Sequence, residues 1–147
     1  MKLSAVAAVL GLATPVFSQT YTLLYDTLYD GTQTQFLHNV ACSTGPNGLI
    51  TYGYNTMGEI PTYPNLGGAP QVEGYNSIYC GSCWDLTYTD SRGESSSVTY
   101  TAVNSGNGAD GYSMSFAGMD SFTNGNAEVF GIVSITASEL PRSACGM

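Results

Sequence analysis

The sequence predicts a mainly β domain with short helices, on three observations. Eleven tyrosines stand among abundant Gly, Ser, Thr and Asn, a composition that suits many short strands joined by tight turns. From Trp84 onward the side chains alternate cleanly. Trp84, Leu86 and Tyr88 fall on one side and Asp85, Thr87 and Thr89 on the other, the period of a half-buried strand. The stretch from Tyr79 to Tyr88 also holds two of the four cysteines and the single tryptophan, so it acts as a hub to which distant parts of the chain can be tied.

Ahead of this domain, Met1-Lys2 and the small and apolar run from Leu3 to Leu12 read as a secretory signal, too short to span a bilayer. Val16 and Ser18 satisfy the small-residue rule, which places cleavage between Ser18 and Gln19. Residues 19–147 are then expected to form one soluble extracellular domain, a monomer, with no lipid anchor. All eleven acids and only Arg92 and Arg142 remain in it, so eleven negative charges against two positive leave −9. Such a surface has little with which to neutralise phosphate or uronate, which argues against nucleic acid, anionic membranes and polyanionic sugars as partners. No Asn-x-Ser/Thr sequon occurs.

An exported chain is expected to oxidise its four cysteines to two bridges. Three pairings exist on paper. A Cys80–Cys83 bridge closes a very small loop and constrains little of the unfolded chain, so the preferred set is Cys42–Cys80 with Cys83–Cys145. A redox reading of Cys80-Gly81-Ser82-Cys83 lacks the helix that normally follows such a motif, because a strand follows here. Zinc is disfavoured, since His38 is the only histidine, and no cofactor is expected.

In chain order, Tyr25 to Gly31 reads as short strands about a turn at Asp30-Gly31. Asp26 and Asp30 are read as acids that bond local backbone rather than as a catalytic pair. Ser43 to Tyr79 is rich in Gly and Pro and predicts ordered loop, with one helical turn near Leu49–Tyr52. Tyr52, Tyr54, Tyr63 and Tyr75 interleave there with Asn47, Asn55, Gln71 and Asn76. Aromatic faces beside neutral amides are what a sugar surface uses, although packed tyrosines with wet tips look the same in sequence. Arg92-Gly93 predicts a hairpin turn into a strand beginning at Val98, and Asn104 to Gly111 a polar loop. Met114, Ala117, Gly118, Ser121 and Phe122 predict a helix capped by Ser113 and ended at Asn124-Gly125. Glu128 to Thr136 predicts a buried strand.

Taken together, the motifs carry a family resemblance. Tyr25-Asp26, Val40-Ala41-Cys42-Ser43, Asn47-Gly48-Leu49-Ile50-Thr51, Gly58-Glu59-Ile60-Pro61, Gly67-Gly68, Gly74-Tyr75-Asn76-Ser77, Cys80-Gly81-Ser82-Cys83-Trp84, Thr123-Asn124-Gly125-Asn126-Ala127 and Thr136-Ala137-Ser138 follow one another as in the cerato-platanin family of secreted fungal proteins, which this chain resembles over residues 19–147. The resemblance implies a six-stranded double-psi β-barrel related to the N-terminal domain of expansins, with the same two bridges. It further implies binding of chitin or N-acetylglucosamine oligomers in a shallow groove, non-hydrolytic loosening of cellulose, and perception by plants as an elicitor through a host receptor. The chain departs from the family pattern at Asn104, where an aspartate is common, and at Ser113, where Gly-Phe-Asn becomes Gly111-Tyr112-Ser113.

Three function classes follow: a non-catalytic glycan-binding protein, a glycosidase, and an effector or wall-coating protein whose partner is a protein. Candidate ligand-binding residues are Asn104, Ser113, Asp26, Asn47, Tyr52, Tyr54, Gln71, Tyr75, Asn76, Ser82 and Asp85. Hydrolysis needs two carboxylates across the scissile bond. Asp26, Glu59, Asp85 and Asp110 show no pairing in their spacing, and Asn104 cannot exchange a proton. The cysteine reading yields a direct test. Non-reducing peptide mapping should recover Cys42 joined to Cys80 and Cys83 to Cys145, and removing either bridge should cost about 2–5 kcal/mol of stability. A recovered Cys80–Cys83 peptide would sink the pairing.

Overall fold

The computed structural model describes residues 19–31 and 37–147. The proposed signal, residues 1–18, lies outside them. Six strands, β1 (Thr20–Tyr25), β2 (Leu66–Ala69), β3 (Cys83–Thr89), β4 (Ser95–Ser105), β5 (Gly111–Met114) and β6 (Ile132–Leu140), form one sheet in the order β2-β4-β3-β6-β1-β5. β3 pairs antiparallel with β4 and β6, and β6 with β1. The two outer pairs, β1 with β5 and β2 with β4, are parallel. The sheet curls until its edge strands β2 and β5 meet, giving the nearly closed double-psi barrel that the family resemblance implies.

Closure depends on the absence of side chains. A Cβ on Gly67 would lie 2.1 Å from the Ser113 carbonyl oxygen, and one on Gly68 would lie 2.3 Å from that of Ser105, so only glycine lets β2 approach β5 and the end of β4. The seam is then stitched by hydrogen bonds. Gly68 N–H donates to Ser113 Oγ at 3.1 Å, and the buried Tyr100 hydroxyl reaches both the Gly68 oxygen at 2.8 Å and the Ser113 oxygen at 2.9 Å. One phenol thus holds both edges of the barrel.

Around it lies an aromatic core. Tyr112 meets Tyr21, Tyr100 and Trp84 edge to face at centroid distances of 5.2, 5.7 and 6.1 Å. Each ring's polar tip is satisfied. Tyr112 donates to Gln71 Oε1 at 3.0 Å, Gln71 Nε2 donates to the Tyr21 hydroxyl at 3.3 Å, and Trp84 Nε1 donates to Ser82 Oγ at 2.8 Å. Cys42–Cys80 pins the long loop before β3, and Cys83–Cys145 pins the C-terminus. Both expected bridges are therefore present, with only Gly81 and Ser82 between them at the hub.

Several local expectations are corrected. Thr27–Tyr29 is a 3-10 turn rather than a strand, because the Asp26 carboxylate accepts the Leu28 N–H at 2.8 Å and coils the chain; the second arm expected there falls on residues outside those described. β4 begins at Ser95, three residues before the expected Val98, since Ser and Thr extend the ladder through the Thr87–Ser97 and Thr89–Ser95 hydroxyl pairs, each at 2.7 Å. The helix α1 (Phe116–Phe122) is capped by Ser115, which accepts Gly118 N–H at 2.9 Å, while Ser113 belongs to β5. Ala127–Phe130 forms a short helix, α2, where a strand was expected. β6 starts only at Ile132, after Gly131 turns at φ +65°, and is largely exposed along its first residues. Asn124 and Gly125 do take the left-handed conformation expected of them, at φ 55° and 80°.

The seam is testable in two ways. Gly67→Ala should destabilise the fold by about 3 kcal/mol, as overpacking against backbone cannot relax by a rotamer change. Tyr100→Phe should cost about 1–3 kcal/mol by leaving two carbonyls without their donor. Denaturant midpoints of both variants check this, and an unchanged Gly67→Ala midpoint would show that the edges do not meet closely.

Candidate functional site

Ser105 and Ser113, which meet the seam glycines, also line a depression of about 290 Å³, where Leu24, Asp26, Tyr29, Asn104, Gly106 and Asn107 converge with them. Topology explains the convergence. The parallel β1–β5 register sets Leu24 beside Ser113, and Asp26 follows directly after β1. Opposite them, β2 pairs Gly67 with Ala102 and Gly68 with Asn104, so Val103 is an extra residue in β4. Such a bulge re-aims the side chain after it. Asn104 consequently accepts Ala41 N–H on Oδ1 at 2.9 Å and donates from Nδ2 to the Tyr29 hydroxyl at 3.1 Å.

Tyr29 forms the polar centre of this floor. Its ring is buried, and burial pushes its hydroxyl above the ordinary tyrosine range; hydrogen bonds with the Ser113 and Asn104 side chains oppose that rise, while the charge of Asp26 adds to it. The hydroxyl is therefore a neutral donor and acceptor rather than a phenolate nucleophile. Asp26 contributes the only carboxylate among the lining residues, and one of its oxygens is occupied by the Leu28 N–H. The site thus offers amides, hydroxyls and one acid, suited to hydrogen bonding a neutral polar ligand.

Of the residues expected from sequence to bind ligand, Asn104, Ser113 and Asp26 meet in this depression. The others lie elsewhere. Asn47 and Asn76 staple two loops together, with Asn47 N–H donating to Asn76 Oδ1 at 2.9 Å and Asn47 Nδ2 to the Asn76 carbonyl at 3.0 Å. Tyr75, 67 % exposed, projects from the Glu73–Tyr79 loop, and Tyr52 stacks under the Arg142 guanidinium at 5.6 Å. Tyr54 is half-buried against the core, and Gln71 and Ser82 satisfy Tyr112 and Trp84. Asp85 sits mid-strand in β3 between Thr99 and Ser138. Tyr29, Ser105 and Asn107 were not anticipated, since only the fold brings them beside Asn104.

The remaining acids considered for hydrolysis are dispersed. Glu59 accepts the Asn55 and Thr56 N–H groups at 2.6 and 3.1 Å, and Asp110 lies in the exposed β4–β5 loop, its carbonyl taking Thr22 N–H at 2.8 Å. His38 is exposed.

A small disulfide-bonded double-psi barrel with a polar depression, lined by amides, hydroxyls and one acid over its parallel strand ends, defines the class. The family model described as cerato-platanin matches residues 21–147, and the chain belongs to that family. It is 43% identical over 149 residues to a protein called heat-stable 19 kDa antigen from Coccidioides immitis, covering 99% of this chain and 96% of the relative. Among solved structures, cerato-platanin 2 from M. perniciosa superposes with a TM-score of 0.81 at 33% identity, covering 88% of this chain and all of that one. The solution structure described as the fungal elicitor cerato-platanin superposes with a TM-score of 0.70 at 31% identity, over 84% of this chain and 95% of the other.

Alkali gives a probe of the buried phenols. Burial raises Tyr29, Tyr100 and Tyr112 above the ordinary tyrosine pKa of about 10, so the folded protein resists ionisation that the unfolded chain accepts. Their contribution to stability is complete below pH about 10 and is lost as pH rises above it. Tyrosinate absorbance should therefore show a late group of phenols that titrate only as the fold opens. A single smooth titration of every tyrosine in a still-folded protein would contradict the burial of this cluster.

Proposed function

We propose that the protein is a secreted, non-catalytic carbohydrate-binding protein that takes N-acetylglucosamine oligomers, as in chitin, at the depression around Tyr29. The observation that supports this most directly is the constellation of Asn104, Ser113, Tyr29 and Asp26 on one surface. A sugar hydroxyl or acetamide needs donors and acceptors at close range, and the amides and hydroxyls supply both while the Asp26 carboxylate adds an acceptor. A lone acid in the depression favours binding over hydrolysis, which requires a second carboxylate about 5–10 Å away across the bond. Two bridges and the apolar leader read at the N-terminus favour an extracellular site of action at the cell wall. Cellulose loosening and perception by a plant receptor belong to the same reading, by family membership and by the relative described as a fungal elicitor.

Asn104→Asp tests the site with little disturbance, because the carboxylate can still accept Ala41 N–H. The Tyr29 hydroxyl, which now accepts from Asn104, must turn and donate instead. With one hydrogen bond exchanged, the dissociation constant for N-acetylglucosamine oligomers should move about threefold to tenfold. Isothermal titration with chitotetraose measures it, alongside a reducing-end assay on the parent protein. An unmoved constant in Asn104→Asp would place the sugar elsewhere, and release of reducing ends would overturn the non-catalytic reading.

A further inference from the structure

At the other end of the β3–β4 hairpin a second concavity, about 310 Å³, opens between the hairpin turn and the corner joining α1 to α2. This volume lies at the lower limit of ligand pockets, about 300–1,000 Å³. Its inner side is aromatic. Tyr88 lies against the buried Phe122 and against Phe130, with centroids 6.1 and 6.4 Å apart, and Phe130 remains 43 % exposed. Phe130 closes a four-residue helix ended by Gly131, so its ring is held at the rim while Val129 beside it is also exposed.

The walls are polar and fixed. Asp90 organises the hairpin turn: Oδ1 accepts the Arg92 and Glu94 N–H groups at 2.8 and 2.9 Å, and Oδ2 accepts the Arg92 side chain from Nε at 3.0 Å and Nη2 at 2.9 Å. This presents one face of the guanidinium to solvent without net charge from the pair. Across the concavity, Asn124 stands in the left-handed conformation at φ 55°. Asn126 donates from Nδ2 to the Thr123 and Asn124 carbonyls at 2.9 and 3.1 Å and so locks that corner, while the Asn124 side chain is exposed and makes no hydrogen bond among the described residues.

We infer that this concavity is a second saccharide site, binding a neutral pyranoside whose ring lies against Phe130 and whose hydroxyls meet the Asn124 amide and the outer N–H groups of Arg92. A pyranose has an apolar face of C–H bonds and an equatorial rim of hydroxyls. It therefore needs an exposed aromatic ring flanked by planar polar groups, and Phe130, the Asn124 amide with its hydrogen-bonding capacity unspent, and the Arg92 guanidinium anchored on Asp90 supply them. Asp90 at 2.9 Å and Glu94 at 3.9 Å from the same Arg92 nitrogen outweigh its positive charge, which favours a neutral sugar over a uronate or a sugar phosphate. Nothing here depends on the depression around Tyr29, which lies on a different part of the barrel and is lined by different residues. Two sites on one small domain would let it bridge separate chains of a polysaccharide.

The experiment is a backbone and side-chain amide NMR titration of the folded, oxidised protein with chitotetraose and with cellotetraose. With at least one of them, resonances of Tyr88, Arg92 and the Asn124 side chain should shift along one saturable curve. Phe130→Ala should weaken that curve about tenfold. Asn124→Gly, which keeps the left-handed backbone and deletes only the amide, should weaken it about threefold to tenfold. Asn104→Asp should leave it unchanged. Should Phe130→Ala fail to fold, the Asn124→Gly curve alone decides. Shifts confined to the residues around Tyr29 with both sugars, or an Asn124→Gly protein that matches the parent at this site, would overturn the second site while leaving the first intact. Shifts confined to Tyr88, Arg92 and Asn124 would do the reverse.

Discussion

The barrel depends on the contact between β2 and β5, where two glycines lie against backbone and a single buried phenol, Tyr100, donates across the seam. Parallel pairs at both edges of the sheet leave no hairpin to force them together, so closure must come from fit and from hydrogen bonds made away from water. In that environment each bond counts for more than at the surface, and a missing partner costs more. The same contact shapes the depression. Ser113 meets Gly68 on one side and Tyr29 on the other, so the residues that complete the scaffold also form the floor of the candidate site. Candidate site and structural closure are one arrangement of atoms.

This economy explains why so many of the chain's polar aromatic residues do not face solvent. Tyr21, Tyr100 and Tyr112 carry hydroxyls into the core, and the amide of Gln71 serves two of them. Between those rings the polar tips set orientation and the ring edges supply dispersion, which gives a small barrel a core with specified geometry. Among the described residues no buried side-chain nitrogen or oxygen is left without a partner.

The architecture was largely legible, the site only partly. Alternation in β3, the cysteine spacing and the ordered motifs led to the barrel and to both bridges, because these signals are local or involve few alternatives. The helix boundary at Ser113 was misread for an intelligible reason. Ser113 and Ser115 are both adequate caps, and only the pairing of Leu24 with Ser113 decides that the first is strand. Likewise α2 and β6 share one apolar run, and only the turn at Gly131 divides them. Asn104 and Ser113 stand out as motif departures and Asp26 through the Tyr25-Asp26 motif, but Tyr29 does not stand out, since it reaches Asn104 across 75 positions of chain. Gln71 and Ser82 illustrate the opposite ambiguity: a neutral polar side chain beside tyrosines reads as a sugar contact in one dimension and as a core hydrogen-bond partner in three.

The placement of the two bridges governs how the molecule responds to proteolysis. Cys80 and Cys83 bracket Gly81-Ser82, so the long loop from Cys42 and the C-terminal segment ending at Cys145 are both moored to the first turn of β3. A protease that cuts within residues 43–79, which are mostly turn and exposed or half-exposed at many positions, severs the backbone without releasing either piece. The cut ends remain held at the hub, and β2, whose glycines complete the seam, stays close enough to redock. A single cut there therefore does not take the molecule apart unless the Cys42–Cys80 bridge is also reduced.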